Sequence, residues 1–172
     1  DEKIVVITHQ SPQFLTSRRD FSEHLAGVKK PFMKTFYEAQ RKRLKILVNS
    51  DGTPQGGKWS FDTENRLSLP KDHKSPQIPK YQIDKTDEEV VALVDAEFGD
   101  HPGDSKNFWL PTDRMGARKW AKNFFDQRFE LFGPYEDAIS KEQPFLYHSV
   151  LTPFLNTGLV TPKECVVAAI KK

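Results

Sequence analysis

His148, Ser149 and Thr152 fall within five consecutive residues, directly ahead of Pro153. Hydroxyl side chains beside the unpaired backbone N–H groups of a helix start are the groups that hold phosphate. Thr152-Pro153 and Thr161-Pro162 each set a capping hydroxyl before a proline suited to the first helical position. Glu164 completes a capping box with Thr161, and Gly158 is placed to end the first short helix in a left-handed turn. The run from Tyr147 to Pro162 thus holds two helix starts, the first with a chemistry suited to an anion. Two capped helices without a ligand account for the same residues, and local chemistry leaves both readings open. Tyr135 follows the Gly133-Pro134 break and precedes His148 by 13 residues. An aromatic ring at that reversal could pack on an aromatic, phosphate-bearing cofactor, or simply be buried with its hydroxyl satisfied.

Other chemistries find less support. Gly56-Gly57-Lys58 lacks the spaced glycine, the following Ser/Thr and the helix that a triphosphate loop requires. Histidines 9, 24, 73, 101 and 148 do not pair at metal-ligand spacings. Cys165 is the single cysteine, so neither an internal disulfide nor a cysteine-based metal site can form from this sequence. Its apolar surroundings predict a buried thiol, in keeping with a reducing, cytoplasmic setting. Arg41, Lys42, Arg43 and Lys45 could meet nucleic-acid phosphates, but no aromatics interleave with them, and a solvated helix face is the simpler expectation.

The elements that would position these residues follow from patterning. The chain has 172 residues and a formal net charge of +2, so no charged tail dictates a partner. No apolar run reaches the roughly 18–20 residues of a membrane span. Ile4-Val5-Val6-Ile7 predicts a strand buried in a parallel sheet, yet no other segment reads as its partner. Such an edge predicts intermolecular strand pairing through Ile4–Ile7. A helix should open near Ser17, and a longer one should run from Pro31 to about Leu47. Residues 49–85 have no periodic pattern and four prolines, at 54, 70, 76 and 79. They predict a linker wrapped over a surface and pinned by Trp59 and Phe61. A capping box at Thr86–Glu89 starts a helix with Val90, Val91, Leu93, Val94 and Phe98 on one face. Thr112-Asp113 caps another, whose Ala117, Trp120, Ala121, Phe124, Phe125, Phe129 and Phe132 form an amphipathic stripe. The expected fold is mainly α, divided as 1–16 (the end of an α/β domain), 17–48 (a helical connection), 49–85 (a linker) and 86–172 (the first part of a helical domain).

Residues 149–162 resemble the flavin-binding signature of the photolyase/cryptochrome superfamily, Thr-Ser-x-Leu-Ser-Pro-Tyr-Leu-x-x-Gly-x-Leu-Ser. Gly57-Lys58-Trp59-Ser60-Phe61-Asp62-Thr63-Glu64-Asn65-Arg66 is similar to a stretch of the iron–sulphur bacterial branch, the deoxyribodipyrimidine photolyase-related proteins. Phe14-Leu15, Phe36-Tyr37 and Phe132-Gly133 fall where that branch would have them. The resemblance implies an α/β antenna domain followed by a helical FAD-binding domain. It implies FAD held by Ser149, Leu151 and Thr152, with Tyr135 in the same pocket. His148 stands where the signature has its first Thr, and Val150 where it has a variable residue or an arginine. It also implies an iron–sulphur cluster and a ribityllumazine antenna whose sites fall mostly outside this sequence. Cys165 matches none of the cluster cysteines.

On this basis the chain is expected to be a fragment of a bacterial, cytoplasmic DNA-repair flavoprotein. Such a lyase splits pyrimidine photoproducts in damaged DNA by electron transfer from reduced FAD, and the fragment alone should be inactive. A cryptochrome-like blue-light photoreceptor shares the flavin site. A helical interaction or nucleic-acid-binding module without flavin would share only the helices.

Overall fold

A computed structural model describes residues 4–172. Seven α-helices form among the described residues: α1 (Arg18–Ala26), α2 (Met33–Leu44), α3 (Lys85–Phe98), α4 (Arg114–Gln127), α5 (Phe129–Phe132), α6 (Thr152–Asn156) and α7 (Pro162–Ile170). None is long and apolar enough to cross a membrane. The mainly α expectation holds. The expected strand does not form: Ile4 is 88 % and Ile7 72 % exposed, and both lie outside any ladder. A strand needs a partner for its backbone groups, and the only β-bridge among the described residues joins Val48 to Pro54. The first three residues of the segment expected to end an α/β domain lie outside the described residues.

Polar caps set the helix starts. Ser17 accepts from the Asp20 N–H while the Asp20 carboxylate accepts from the Ser17 N–H, which fixes α1. At α3 the cap is Asp84, not Thr86. The Asp84 carboxylate accepts from the N–H groups of Thr86 and Asp87, and Asp87 returns the bond to the Asp84 N–H. Asp87 also accepts from the hydroxyls of Tyr81 and Thr112. These bonds anchor one end of α3, but its apolar face stays open, with Val90, Leu93 and Phe98 more than half exposed. α2 stops at Leu44, short of the expected Leu47, because Lys45 adopts a left-handed conformation (φ 54°).

The core is built on α4. Ala117, Trp120, Ala121, Phe124 and Phe125 are buried there and meet Leu151, Phe154 and Val160 from the C-terminal segment. Gly116 allows the chain to enter this helix. A Cβ at that position would lie 2.7 Å from the Pro111 side chain. Gly158 has φ 76° and turns the chain out of α6, as its position predicted.

Glu164 ties α7 to α4. It caps α7 with Thr161, and its carboxylate accepts from Arg114 at 3.2 Å and from Arg118. The Thr161 backbone N–H is the largest cause holding this carboxyl at about 2, against an ordinary 4.5, with Arg118, the Thr161 hydroxyl and Arg114 adding to it against burial. The folded value lies below the unfolded one. Stability from Glu164 is therefore full above pH 4.5 and lost as pH falls toward 2. Glu164→Gln should flatten this acid limb in a plot of unfolding midpoint against pH. An acid limb as steep as wild type would refute the assignment.

The linker is irregular, as expected, apart from one 3-10 turn at Asp62–Glu64. Trp59 pins it, but Phe61 does not: it remains 48 % exposed. Backbone bonds from Leu67 N–H to Pro134 O and from Asp137 N–H to Asn65 O hold the linker to the chain after α5. Side-chain bonds from Asn65 to Glu136 and from Arg66 to Asp137 reinforce the junction. The motif at 57–66 therefore includes residues that dock the linker.

Candidate functional site

Trp120 is fully buried, and its indole N–H donates to the Ser149 carbonyl at 3.0 Å. That bond fixes the middle of the segment singled out from sequence. Leu146 and Val150 bracket it with positive φ values of 43° and 51°. A left-handed β-branched residue is strained and persists only where its surroundings impose it. Here the burial of Leu146, Tyr147 and Leu151 on either side of the half-buried turn imposes it. The His148 N–H closes the turn onto the Phe145 carbonyl at 2.9 Å.

Thr152 does not cap α6. The N-cap is Leu151, whose backbone is already helical (φ −87°, ψ −14°), and no side chain bonds to the helix start. A capping hydroxyl needs an extended backbone at its own residue. The left-handed Val150 delivers the chain to Leu151 in a helical conformation, so the helix begins before Thr152 can cap it. The Thr152 hydroxyl consequently stays exposed. Neither it nor the Ser149 hydroxyl makes a hydrogen bond among the described residues. His148, Ser149 and Val150 are half-buried and Leu151 is buried.

Tyr135 joins this segment through its neighbour. Its ring stacks on Tyr147 at 5.5 Å and 21°, and the His73 ring lies 5.2 Å from Tyr147. Burial, with the neighbouring Tyr135, pushes the Tyr147 phenol up, so it stays protonated at neutral pH. His73 arrives from the linker, held by the Gln143 amide, which donates to its carbonyl at 2.7 Å. The ring Nε2 of His73 is buried without a partner. The structure thus stacks Tyr135 on Tyr147, the residue directly before 148–152, and one face of the Tyr135 ring is already covered.

Sequence reasoning missed His73, Trp120 as a donor, and Arg128. Arg128 is 1 % exposed, at the C-terminal end of α4. Its guanidinium packs at 5.8 Å over the Trp120 ring and 5.7 Å over the Phe124 ring. One contact, to Asn123 at 3.5 Å, engages Nη2, while Nε and Nη1 are buried without partners. Burial lowers its pKa, but an arginine stays charged in such a place. An Arg within the helical stripe was the only hint in the sequence.

Arg41 also departs from expectation. It is 7 % exposed rather than part of a solvated face, because its guanidinium turns inward to the carbonyls of Ile46, Leu47 and Trp59. No group of three or more His, Cys, Asp or Glu among the described residues could hold a metal ion.

Residues 1–110 match the family model for deoxyribodipyrimidine photo-lyase-related protein. The chain belongs to this family. The (6-4) photolyase of Agrobacterium fabrum is 34 % identical over 157 residues, which cover 91 % of this chain and 31 % of that protein. An uncharacterised protein of Acanthamoeba polyphaga mimivirus is 50 % identical over 38 residues, 22 % of this chain and 30 % of its own length. The chain therefore spans about a third of the photolyase it matches. Within this photolyase-related family, the linker motif at 57–66 lies inside the matched region and the segment 146–152 lies beyond it.

Proposed function

We propose that this chain is part of a light-driven DNA-repair flavoprotein and supplies one wall of its FAD pocket. The observation that carries the reading is the loop 146–152. Its backbone is strained at both ends, fixed by the Trp120 bond, and leaves the Ser149 and Thr152 hydroxyls free of internal partners. Membership in a photolyase-related family supports the same reading. The donor set fits a phosphate-bearing group: two free hydroxyls, and a buried guanidinium with two unpartnered nitrogens over the Trp120 ring that holds their segment.

In this reading Ser149 and Thr152 donate to the cofactor phosphates, and the Leu151 backbone fixes the distance between them. Tyr135 and Tyr147 form the aromatic side of the same wall. Bound reduced FAD would supply the photoexcited electron that splits a pyrimidine photoproduct in damaged DNA. No residue of this chain carries a catalytic proton or electron role; its work is placement. The iron–sulphur cluster and the ribityllumazine antenna belong, in this proposal, to parts of a longer protein outside these residues.

Purification gives the test. The full-length protein should elute from gel filtration with the visible absorption of bound flavin. The 172-residue piece, offered FAD and passed over the same column, should emerge colourless because it holds only one wall. A colourless full-length protein that cannot be reconstituted with FAD would defeat the flavin reading. A yellow piece would defeat the one-wall reading.

A further inference from the structure

We propose that Arg128 is the counter-charge for the cofactor phosphates, acting from inside the core across the Trp120 ring, as a positioning residue rather than a catalytic one. The inference rests on the flavin reading and goes a step deeper, because it names the cation of the site.

The segment from Phe145 to Pro162 contains no lysine or arginine. Two phosphates held by hydroxyls and backbone alone would leave their charge uncompensated, so a cation must come from elsewhere in the fold. Several cations of the helical part are engaged in ion pairs or backbone contacts. Arg114 and Arg118 are paired with Glu164. Lys122 and Lys172 share Asp126. The guanidinium of Arg41 is turned to three backbone carbonyls, against the linker. Arg128 is different. It is 1 % exposed, has no carboxylate within ion-pair distance among the described residues, and keeps Nε and Nη1 unpartnered.

A buried charge without a partner is unfavourable unless something supplies the opposite charge. The position of Arg128 says where that charge should be. Its guanidinium lies over the same Trp120 ring whose N–H holds the Ser149 carbonyl. Arg128 and the Ser149 backbone thus meet on one indole. The guanidinium is buried, so its attraction for an anion held at that segment passes partly through protein and is screened less than between two charges in water. The arrangement trades apo-state stability for affinity toward an anionic ligand.

The experiment compares flavins that differ in phosphate. Full-length apoprotein, wild type and Arg128→Met, is titrated with FAD and with riboflavin, which has no phosphate, following flavin fluorescence. The unfolding midpoint of each apoprotein is measured alongside. Arg128→Met should weaken FAD roughly ten- to hundredfold, as expected for losing one poorly screened charge near two phosphates. Riboflavin affinity should change by less than about twofold, since it carries no charge to be compensated. The apo midpoint should stay level or rise, because an unpaired buried charge has been removed. Arg128→Lys, which keeps the charge, should retain most of the preference for FAD. Should Arg128→Met not fold, Arg128→Gln offers the same comparison. Equal losses for FAD and riboflavin with a lower midpoint would mean a structural role and overturn the proposal, as would unchanged FAD affinity. Wild-type protein that binds neither flavin would overturn the flavin reading itself, which is a different failure.

Discussion

Trp120→Ala is expected to lower the stability of the helical unit by about 4 kcal/mol, the range for deleting a large buried aromatic. Trp120 is fully buried and sits 5.6 Å from Trp109 and 6.0 Å from Phe154, so its ring joins α4 to α6 and to the approach to α4. Truncation opens a cavity that these rings cannot fill together. It also strips the indole N–H from the Ser149 carbonyl and removes one of the two rings that face the Arg128 guanidinium. A domain with about 5–15 kcal/mol in total would lose a large share of its stability. Urea denaturation followed by circular dichroism measures this. Trp120→Phe separates the two contributions: it keeps most of the packing and should cost about 1–2 kcal/mol for the lost bond. If Trp120→Ala unfolds at the wild-type urea midpoint, α4 is not the organiser of this core.

The residues that make Trp120 central were legible in the sequence only as a stripe. The helical spacing of Ala117, Trp120, Ala121, Phe124 and Phe125 predicted which face of α4 is buried, since burial of an amphipathic face is a property of local pattern. Gly158 and the Thr161–Glu164 box were legible for the same reason: a left-handed turn and a reciprocal cap involve neighbours in the chain. Thr152 looked equally local and was not. Its cap depended on the backbone of Leu151, which the strained Val150 had already turned helical. The α3 stripe had a sound pattern and still lies open, because periodicity reports which side of a helix is apolar and not whether anything covers it.

Charged residues were the least legible. Arg41 and Glu164 fall on helices and Arg128 at a helix end, where a solvated charge is the ordinary expectation. Each is instead held by something distant in sequence or by an aromatic face: the Trp59 carbonyl, the Trp120 ring, or Arg114 and Arg118. The candidate site shows the same division. Ser149 and Thr152 could be named from a motif, but the groups that shape their segment, Trp120 and the left-handed Leu146, could not. No spacing rule links residues 120 and 149. The family motif at 57–66 likewise identified a relationship without revealing its physical task, which its contacts with Arg41, Glu136 and Asp137 make plain.

That task leads to the second large effect. Arg41→Ala is expected to release the linker from α2, with a local cost of about 3 kcal/mol, as for deleting the donor to several buried acceptors. The Arg41 guanidinium donates to Ile46 O at 3.2 Å, Leu47 O at 2.6 Å and Trp59 O at 2.9 Å. It also lies 5.0 Å from the Trp59 ring and 5.6 Å from the Tyr37 ring. Left-handed conformations at Lys45 and Leu47 bring two of those carbonyls around to face it. Without the guanidinium the strain at these residues loses part of what opposes it, and Trp59 keeps only Lys42 of the two cations at its ring. The effect should be local, because the core on α4 does not involve Arg41. Limited trypsin digestion reads it directly: cleavage after Lys58 and Arg66 should speed up by roughly a hundredfold, the equivalent of that local free energy. The urea midpoint of the helical core should barely move. Arg41→Lys should recover little, since a point charge cannot reach three carbonyls at once as a planar fork does. Wild-type digestion rates in Arg41→Ala would show that contacts other than those of Arg41 hold the linker.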